Sequence, residues 1–278
     1  MSIKLYSNAK INLALSINYK RSDDMHDIST VMQEIDLHDT IELSTNETNQ
    51  INIISKGIQV PEDETNLCYI AANLFLLENK IDKGVNIIIH KNIPVGGGLG
   101  GGSSNASCVI KGLFELFNID KDSKIFYKIS SNIGADVSFF YNGGIQYATG
   151  IGDQLMRLPP LLDQYYFLLI FPKFSISTPW AYREYKNYLE NQSNESNFVP
   201  LSDKVDFSLW RNDFEKVVLS TYPEIKQMKN DLQNSQSLFA ALSGSGSTMF
   251  GVYDNLELAT NARSLFKDFQ TCIALPVN

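Results

Sequence analysis

Pro94-Val95-Gly96-Gly97-Gly98-Leu99-Gly100-Gly101-Gly102-Ser103-Ser104-Asn105-Ala106 decides how the rest of this chain is read. Six of the chain's 17 glycines fall within the seven residues Gly96 to Gly102. Glycine loses more backbone freedom on folding than any other residue, so such a run inside a globular chain needs a reason. A strand-like segment, Gly84-Val85-Asn86-Ile87-Ile88-Ile89-His90, leads into it. A helical pattern leads out, with Val109, Ile110, Leu113, Phe114 and Phe117 on one side. Consecutive N–H donors and a helix N-terminus then converge on one point, which is the geometry of a phosphate site. A flexible linker would not have a strand and a helix abutting it.

Outward from the run, Ile11, Leu13, Leu15 and Ile17 alternate with Lys10, Asn12, Ser16 and Asn18, the pattern of a half-buried strand. Lys10 and Asn12 thus share its polar side. Val31–Leu43 and Gln50–Ser55 read as further strands. Thr65-Asn66 opens a helix with an apolar stripe at Leu67, Ile70, Ala71 and Leu74. Ser103 or Ser104 is expected to cap the helix after the glycines. A helix over 122–132, the turn Gly134-Ala135-Asp136 and a strand over 145–148 follow. Pro159-Pro160 marks a candidate boundary.

The second half reads as a strand at Tyr166–Phe171, then helices, one opened by Pro223 with Ile225, Met228 and Leu232 on one side. Strands at Leu238–Leu242 and Thr248–Tyr253 flank Ser243-Gly244-Ser245-Gly246-Ser247. A helix over 256–269 and a strand over 271–277 close the chain. Apart from one extra helix this is βαββαβ, the split pattern of ferredoxin-like domains. Asn191–Asn197 (NQSNESN) reads as a surface loop.

With 278 residues, 44% apolar and 19% charged, the chain has an ordinary globular balance and room for two domains. A net charge of −8 without a basic block excludes nucleic acid and anionic membrane as main partners. Cys68, Cys108 and Cys272 show no metal spacing and read as free thiols in a reducing cytoplasm. No basic-then-apolar leader and no spanning segment are seen.

Gly96, Gly98 and Gly101 fit G-x-G-x-x-G, and Asp120 lies at the distance of a ribose-binding acid, so a dinucleotide turn fits locally. Two features oppose it. The loop is longer than a Rossmann turn, and Ser-Ser-Asn-Ala places hydroxyls where a phosphate or its Mg²⁺ would sit. No lysine follows the last glycine, so Walker A is absent. By themselves, Lys10 reads as a solvated charge, Asp136 as a cap and His26 as a surface residue.

Taken in order, Ala9-Lys10-Ile11-Asn12-Leu13, then Pro94–Ala106, then Leu242–Ser247 resemble the GHMP kinase superfamily, over nearly the whole chain. The wording GGGLGGGSSNA, with AKINL before it and GADV after it, resembles the branch whose acceptor is a diphosphocytidyl methylerythritol. The resemblance implies ATP and Mg²⁺ as cofactors, phosphorylation of the acceptor's 2-hydroxyl, and a place in the non-mevalonate isoprenoid route. It makes Asp136 the catalytic aspartate that takes the hydroxyl proton, and Lys10 the lysine that holds that aspartate and stabilises developing charge. Pro94, Val95, Gly96, Gly97, Gly98, Leu99, Gly100, Gly101, Gly102, Ser103 and Ser104 match the ATP phosphate loop, and Asn66 and Leu67 the segment near adenosine. Asn12 and His26 match substrate contacts. Ser243, Gly244, Ser245 and Gly246 match the third motif, beside the reacting groups, and Tyr182 falls where the family sets a ring against cytosine. Met25 is a departure: the family has Gly-Tyr-His where this chain has Asp24-Met25-His26. A thioether keeps a soft apolar face there, and cytidine recognition is expected to be kept but altered.

The resemblance implies an α+β fold in two domains, a nucleotide-binding unit over 1–158 and a ferredoxin-like unit over 159–278. The expected partner is a small molecule, with no nucleic acid and no membrane, and the chain is expected to be a monomer or homodimer in the cytoplasm. Kinases of homoserine, mevalonate or sugars share these motifs, and a non-catalytic nucleotide-binding protein would too. A Rossmann oxidoreductase would need repeated βαβ units, which the chain does not supply.

Overall fold

The alternation read near the N-terminus runs further than its clearest stretch: β1 spans Ser2–Lys20 and β2 spans His26–Asn46, and the two pair with each other. The computed structural model describes residues 2–190 and 205–278; the loop expected over Asn191–Asn197 lies outside the described residues. Two compact units interleave along the chain. Met1–Ala9, Leu37–Val95 and Gly100–Asn142 make the first; Lys10–Asp36, Gly96–Leu99 and Gly143–Asn278 make the second. The expected cut at 158/159 falls inside the second unit.

The first unit holds β3 (Ile51–Gly57), α1 (Leu67–Glu78), β4 (Gly84–Lys91), α2 (Gly101–Leu116), α3 (Ser123–Ser130) and α4 (Ala135–Asn142). β4 lies parallel to β3 and antiparallel to Thr40–Asn46 of β2. Its Val85, Ile87 and Ile89 point into the core, as do Val109, Ile110 and Leu113 of α2. Phe75 of α1 meets Phe114 of α2 edge to face, with centroids 4.8 Å apart. Full burial of each such side chain contributes about 1.5–3 kcal/mol.

Two local expectations are corrected here. The buried arc of α1 is Cys68, Ala71, Ala72, Phe75 and Leu76, while Leu67, Ile70 and Leu74 are only partly covered. The helix is apolar around most of its circumference, so its pattern does not fix which arc faces in. Neither Ser103 nor Ser104 caps α2. Its N-cap is Gly100, held at φ +66°, and both serines lie inside the first turn. A left-handed residue at that point is cheap only for glycine.

The second unit holds β5 (Ile145–Thr149), β6 (Gln154–Arg157), β7 (Tyr166–Phe171), α5 (Thr178–Glu190), a 3-10 turn at Phe207–Leu209, α6 (Glu215–Thr221), α7 (Pro223–Asn234), β8 (Phe239–Leu242), β9 (Met249–Tyr253), α8 (Leu256–Arg263) and β10 (Gln270–Ala274). β5 pairs antiparallel with Thr30–Gln33 of β2 and with β6. The remaining strands form an antiparallel sheet in the order β10-β7-β9-β8. Counted from β7 this is 4-1-3-2, the ferredoxin-like order expected, and among the described residues two additional helices lie between β7 and β8 rather than one. Pro223 opens α7, whose Ile225, Met228 and Leu232 are buried as read from the sequence. α8 stops at Arg263, short of the expected 269, where i→i+3 bonds replace the helical ones. The architecture is α+β. All three cysteines are free, and among the described residues no helix is long and apolar enough to cross a membrane.

Candidate active site

In the first unit, β4 delivers the chain to the glycines and α2 carries it away. Lys91, the last residue of β4, and Asp39 of β2 are both buried and form an ion pair. Asp39 Oδ1 accepts from the backbone N–H groups of Asn92 (2.6 Å) and Ile93 (2.8 Å). Asp39 Oδ2 accepts from Lys91 Nζ and from Asn105 Nδ2, the latter at 2.8 Å. Asn105 also donates to Ser7 Oγ at 2.9 Å, and Ser7 donates to Ser104 Oγ at 2.7 Å. Burial pushes the Lys91 pKa down, and the Asp39 charge opposes that shift. A Cβ at Gly101 would come 2.9 Å from Lys91 Nζ.

Nearby in this unit, Asn66 caps α1 by accepting from Cys68 N at 2.9 Å and donates to the Pro61 carbonyl at 2.6 Å. Leu67 lies 3.5 Å from the position a Cβ would take at Gly102. Asp136 is half-buried in the first turn of α4. Pro94 is half-buried and Val95 exposed at the entry to the run.

In the second unit, Gly96–Leu99 is laced to two other segments. Lys10 N donates to the Leu99 carbonyl at 3.0 Å, and Thr248 N to the Gly97 carbonyl at 3.2 Å. Ser243 Oγ donates to the Gly98 carbonyl at 2.9 Å and accepts from Asn12 N at 3.3 Å. A Cβ at Gly98 would sit 2.0 Å from the Ser243 carbonyl oxygen, so only a glycine allows this approach. Asn212 holds the third motif from behind, donating to the carbonyls of Leu242 (2.7 Å) and Gly244 (2.8 Å). Ser245 Oγ pairs with Thr178 Oγ1 at 2.8 Å.

Lys10 and Asn12 are not on a solvated face. Both are buried, because β1 is covered on both sides from Ile11 to Ile17. Lys10 Nζ donates to Asn12 Oδ1 at 2.5 Å, and Asn12 Nδ2 donates to Thr30 Oγ1 at 2.8 Å. Reading Lys10 as a solvated charge is thereby corrected. His26 is likewise no plain surface residue: its ring stacks on Tyr182, with centroids 4.8 Å apart and planes 17° from parallel. Tyr182 in turn meets Phe214 edge to face at 4.9 Å. Burial, then the charges of Lys20 and Lys186, push the His26 pKa down. Met25 is 50% exposed, in a turn where its N–H donates to Asp23 Oδ1 at 3.1 Å.

The second unit therefore gathers Lys10, Asn12, Gly97, Gly98, Leu99, Ser243 and Gly244 at one knot, and His26 with Tyr182 at another place. The first unit gathers Gly101–Asn105 with Asp39 and Lys91, two residues that motif reading passed over. A signal for them exists. Asp39 occupies the inward register of Ile35, Leu37, Ile41 and Leu43 in β2, and Lys91 that of Val85, Ile87 and Ile89 in β4. A charge in an apolar register is a charge awaiting a partner.

The model of the GHMP kinases N-terminal domain matches residues 66–144, and that of the GHMP kinases C-terminal domain matches 197–269. The 4-diphosphocytidyl-2-C-methyl-D-erythritol kinase of Chlorobium limicola is 37% identical, across 99% of this chain and 98% of that protein. The chain belongs to the GHMP kinases. A kinase of the same name from Thermodesulfovibrio yellowstonii is 39% identical over 94% of this GHMP kinase and 93% of that protein. Among solved structures, a 4-(cytidine 5'-diphospho)-2C-methyl-D-erythritol kinase superposes with a TM-score of 0.82 at 26% identity, over 99% of this chain and 100% of the other. A homoserine kinase from Cytophaga hutchinsonii superposes with a TM-score of 0.72 at 19% identity, over 100% of this chain and 95% of the other, a likeness of fold. As a GHMP kinase the chain is an enzyme of phosphoryl transfer that uses ATP on a small molecule.

Proposed function

We propose that this GHMP kinase transfers the γ-phosphoryl group of ATP to the 2-hydroxyl of 4-diphosphocytidyl-2-C-methyl-D-erythritol, in the cytoplasm, as a step of the non-mevalonate route to isoprenoid precursors. The observation that carries the choice of acceptor is the likeness to kinases of that name along nearly the full length of both chains. The bond from the γ-phosphorus to the ADP oxygen breaks, a bond to the acceptor oxygen forms, and the hydroxyl proton passes to the Asp136 carboxylate. Such transfers are mostly positioning and electrostatics. The N–H groups of Gly96–Ser104 hold phosphate oxygens, and Asn66 and Leu67 line the adenosine side. The Lys10 ammonium, oriented by Asn12, offsets charge that develops on the transferred group. Met25, His26 and Tyr182 hold the cytidine end, and Ser243–Gly246 keep the run against the reacting groups.

The run fits a phosphate ligand. Gly96, Gly98 and Gly100 all have positive φ, and there is no room for a side chain at Gly98. Mg²⁺ takes oxygen ligands and is usually shared with nucleotide phosphates. Among the described residues no group of three or more His, Cys, Asp or Glu could hold a metal by itself, which fits that sharing. Ser103 is the better of the two candidate hydroxyls, because Ser104 is buried and accepts from Ser7. When bound, the ion neutralises phosphate charge. The division into 1–158 and 159–278 stays our proposal for the two functional domains, supported by family matches that fall on either side of it.

A coupled assay of ADP release, with and without the diphosphocytidyl acceptor, tests the reading. ADP release that depends on this acceptor, and not on homoserine, mevalonate or simple sugars, is expected. Turnover with one of those instead would reassign the acceptor, and none with any would leave a nucleotide-binding protein.

A further inference from the structure

Asp39 carries four N–H donors on a carboxylate that is fully buried. Two oxygens offer about four acceptor positions, so the group is saturated. Its partners fall on both sides of the glycine run. Ile93 lies three residues before Gly96, and Asn105 lies three residues after Gly102. One oxygen thus holds the backbone entering the run, and the other holds the first turns of the helix leaving it. The carboxylate is ion-paired with Lys91, and hydrogen bonds of such charged pairs are roughly twice as strong as neutral ones.

A buried ion pair adds little net stability over apolar side chains of the same volume. What this one supplies is geometry. Six glycines in seven residues leave a backbone with many conformations, and each must be given up when the run wraps an anion. Fixing both shoulders removes part of that loss before the ligand arrives, which is preorganisation. We propose that Asp39 is a positioning residue for nucleotide binding, clamping the two ends of the glycine run through Asn92 and Ile93 on one side and Asn105 on the other. This rests on the reading of the run as the ATP phosphate loop.

Steady-state kinetics of the full chain test it, with ATP and the diphosphocytidyl acceptor varied in turn, at a temperature where circular dichroism shows each variant folded. Asp39→Asn keeps the shape but turns an amide donor toward Lys91 and Asn105. It should raise the KM for ATP by about tenfold or more, the scale of a lost charge-assisted bond. The acceptor KM should stay within about twofold, since Asp39 bonds only segments flanking the run. Asn105→Ala cuts the downstream arm, together with the bond to Ser7 Oγ, and leaves the upstream arm in place, in a helix that accepts alanine; it should raise the ATP KM severalfold. The double variant should exceed Asp39→Asn by no more than about twofold, because the two residues share one bond. Where Asp39→Asn does not fold, Asn105→Ala carries the test alone. An ATP KM within about twofold of wild type in the folded variants overturns the proposal, as does a parallel rise in both KM values or a multiplicative double variant. Wild type that turns over no acceptor with ATP would overturn the kinase reading itself, a different and distinguishable failure.

Discussion

Asp136 and Lys10 carry different parts of the proposed transfer, and substitution separates them. Asp136→Asn keeps the shape of the side chain and removes the proton acceptor, so kcat should fall by about 10²–10⁴-fold while ATP still binds. Single-turnover kinetics beside a nucleotide-binding titration check this, and near-normal turnover would remove Asp136 from the chemistry. Lys10→Met retains most of the buried stem but loses the ammonium. A fall in kcat larger than the change in either KM is expected, whereas a change confined to KM would make Lys10 a binding group. His26 gives a second prediction at this scale. Burial, chiefly, holds its folded pKa below the ordinary 6.5. Protonation therefore favours the unfolded chain. The associated stability is complete above pH 6.5 and is lost as pH falls through the lower, folded value. A proton NMR titration should place the His26 midpoint below 6.5, and Tyr182→Ala, which uncovers the ring, should move it back up. A midpoint unmoved by that change would mean the stack does not shield the imidazole. Residue by residue, the motifs were legible because each couples an unusual composition to a position. Asp39 was not, since strand reading attends to Ile35, Leu37, Ile41 and Leu43 and passes over the charge that stands among them.

The glycine run behaves as an element in its own right, and its members are not equivalent. At Gly98 the backbone has φ +77°, and a Cβ would lie 2.0 Å from the Ser243 carbonyl oxygen, itself main chain and unable to swing aside. At Gly102, inside the first turn of α2, a Cβ meets only Leu67 Cδ1 at 3.5 Å. Gly98→Ala should therefore destabilise the protein by about 1–3 kcal/mol. Gly102→Ala should be neutral or stabilise by up to about 1 kcal/mol through helix propensity. Denaturant unfolding of the two variants checks the opposite signs, and equal losses would mean the run is not knotted to Ser243 as described. The existence and order of elements were legible from periodicity and punctuation. Their phase and ends were not. α1 is apolar nearly all round, so tertiary packing selected Cys68, Ala72 and Phe75, and of the predicted stripe buried only Ala71. The cap of α2 went to Gly100 because the chain must turn there with positive φ, a demand that no count of capping hydroxyls reveals.

At the scale of the whole molecule, contacts distant in sequence decide what holds, and the end of the chain is the clearest case. After β10 the backbone does not stop at the ferredoxin-like sheet. Leu275–Val277 runs along the middle of β2, within the second unit. Asp36 N donates to the Leu275 carbonyl at 3.0 Å, and Val277 N to the Glu34 carbonyl at 2.9 Å. Leu275 N donates to Asp36 Oδ1 at 2.8 Å, and the buried Gln33 amide donates to the Val277 carbonyl at 2.9 Å. β2 is the strand that carries His26 near its start and Asp39 further along. Removing residues 275–278 would delete these bonds and leave the Gln33 amide short of a partner in the interior. At roughly 0.5–1.5 kcal/mol for each of the four bonds, the loss should be about 2–6 kcal/mol. Calorimetry of the shortened chain should show a lower Tm. Its residual activity at low temperature should keep the wild-type KM for ATP, because none of the deleted bonds touches the glycine run. A shortened chain with unchanged Tm would show that this seam adds nothing to stability. One with normal Tm but a raised ATP KM would tie the tail to the nucleotide rather than to the fold.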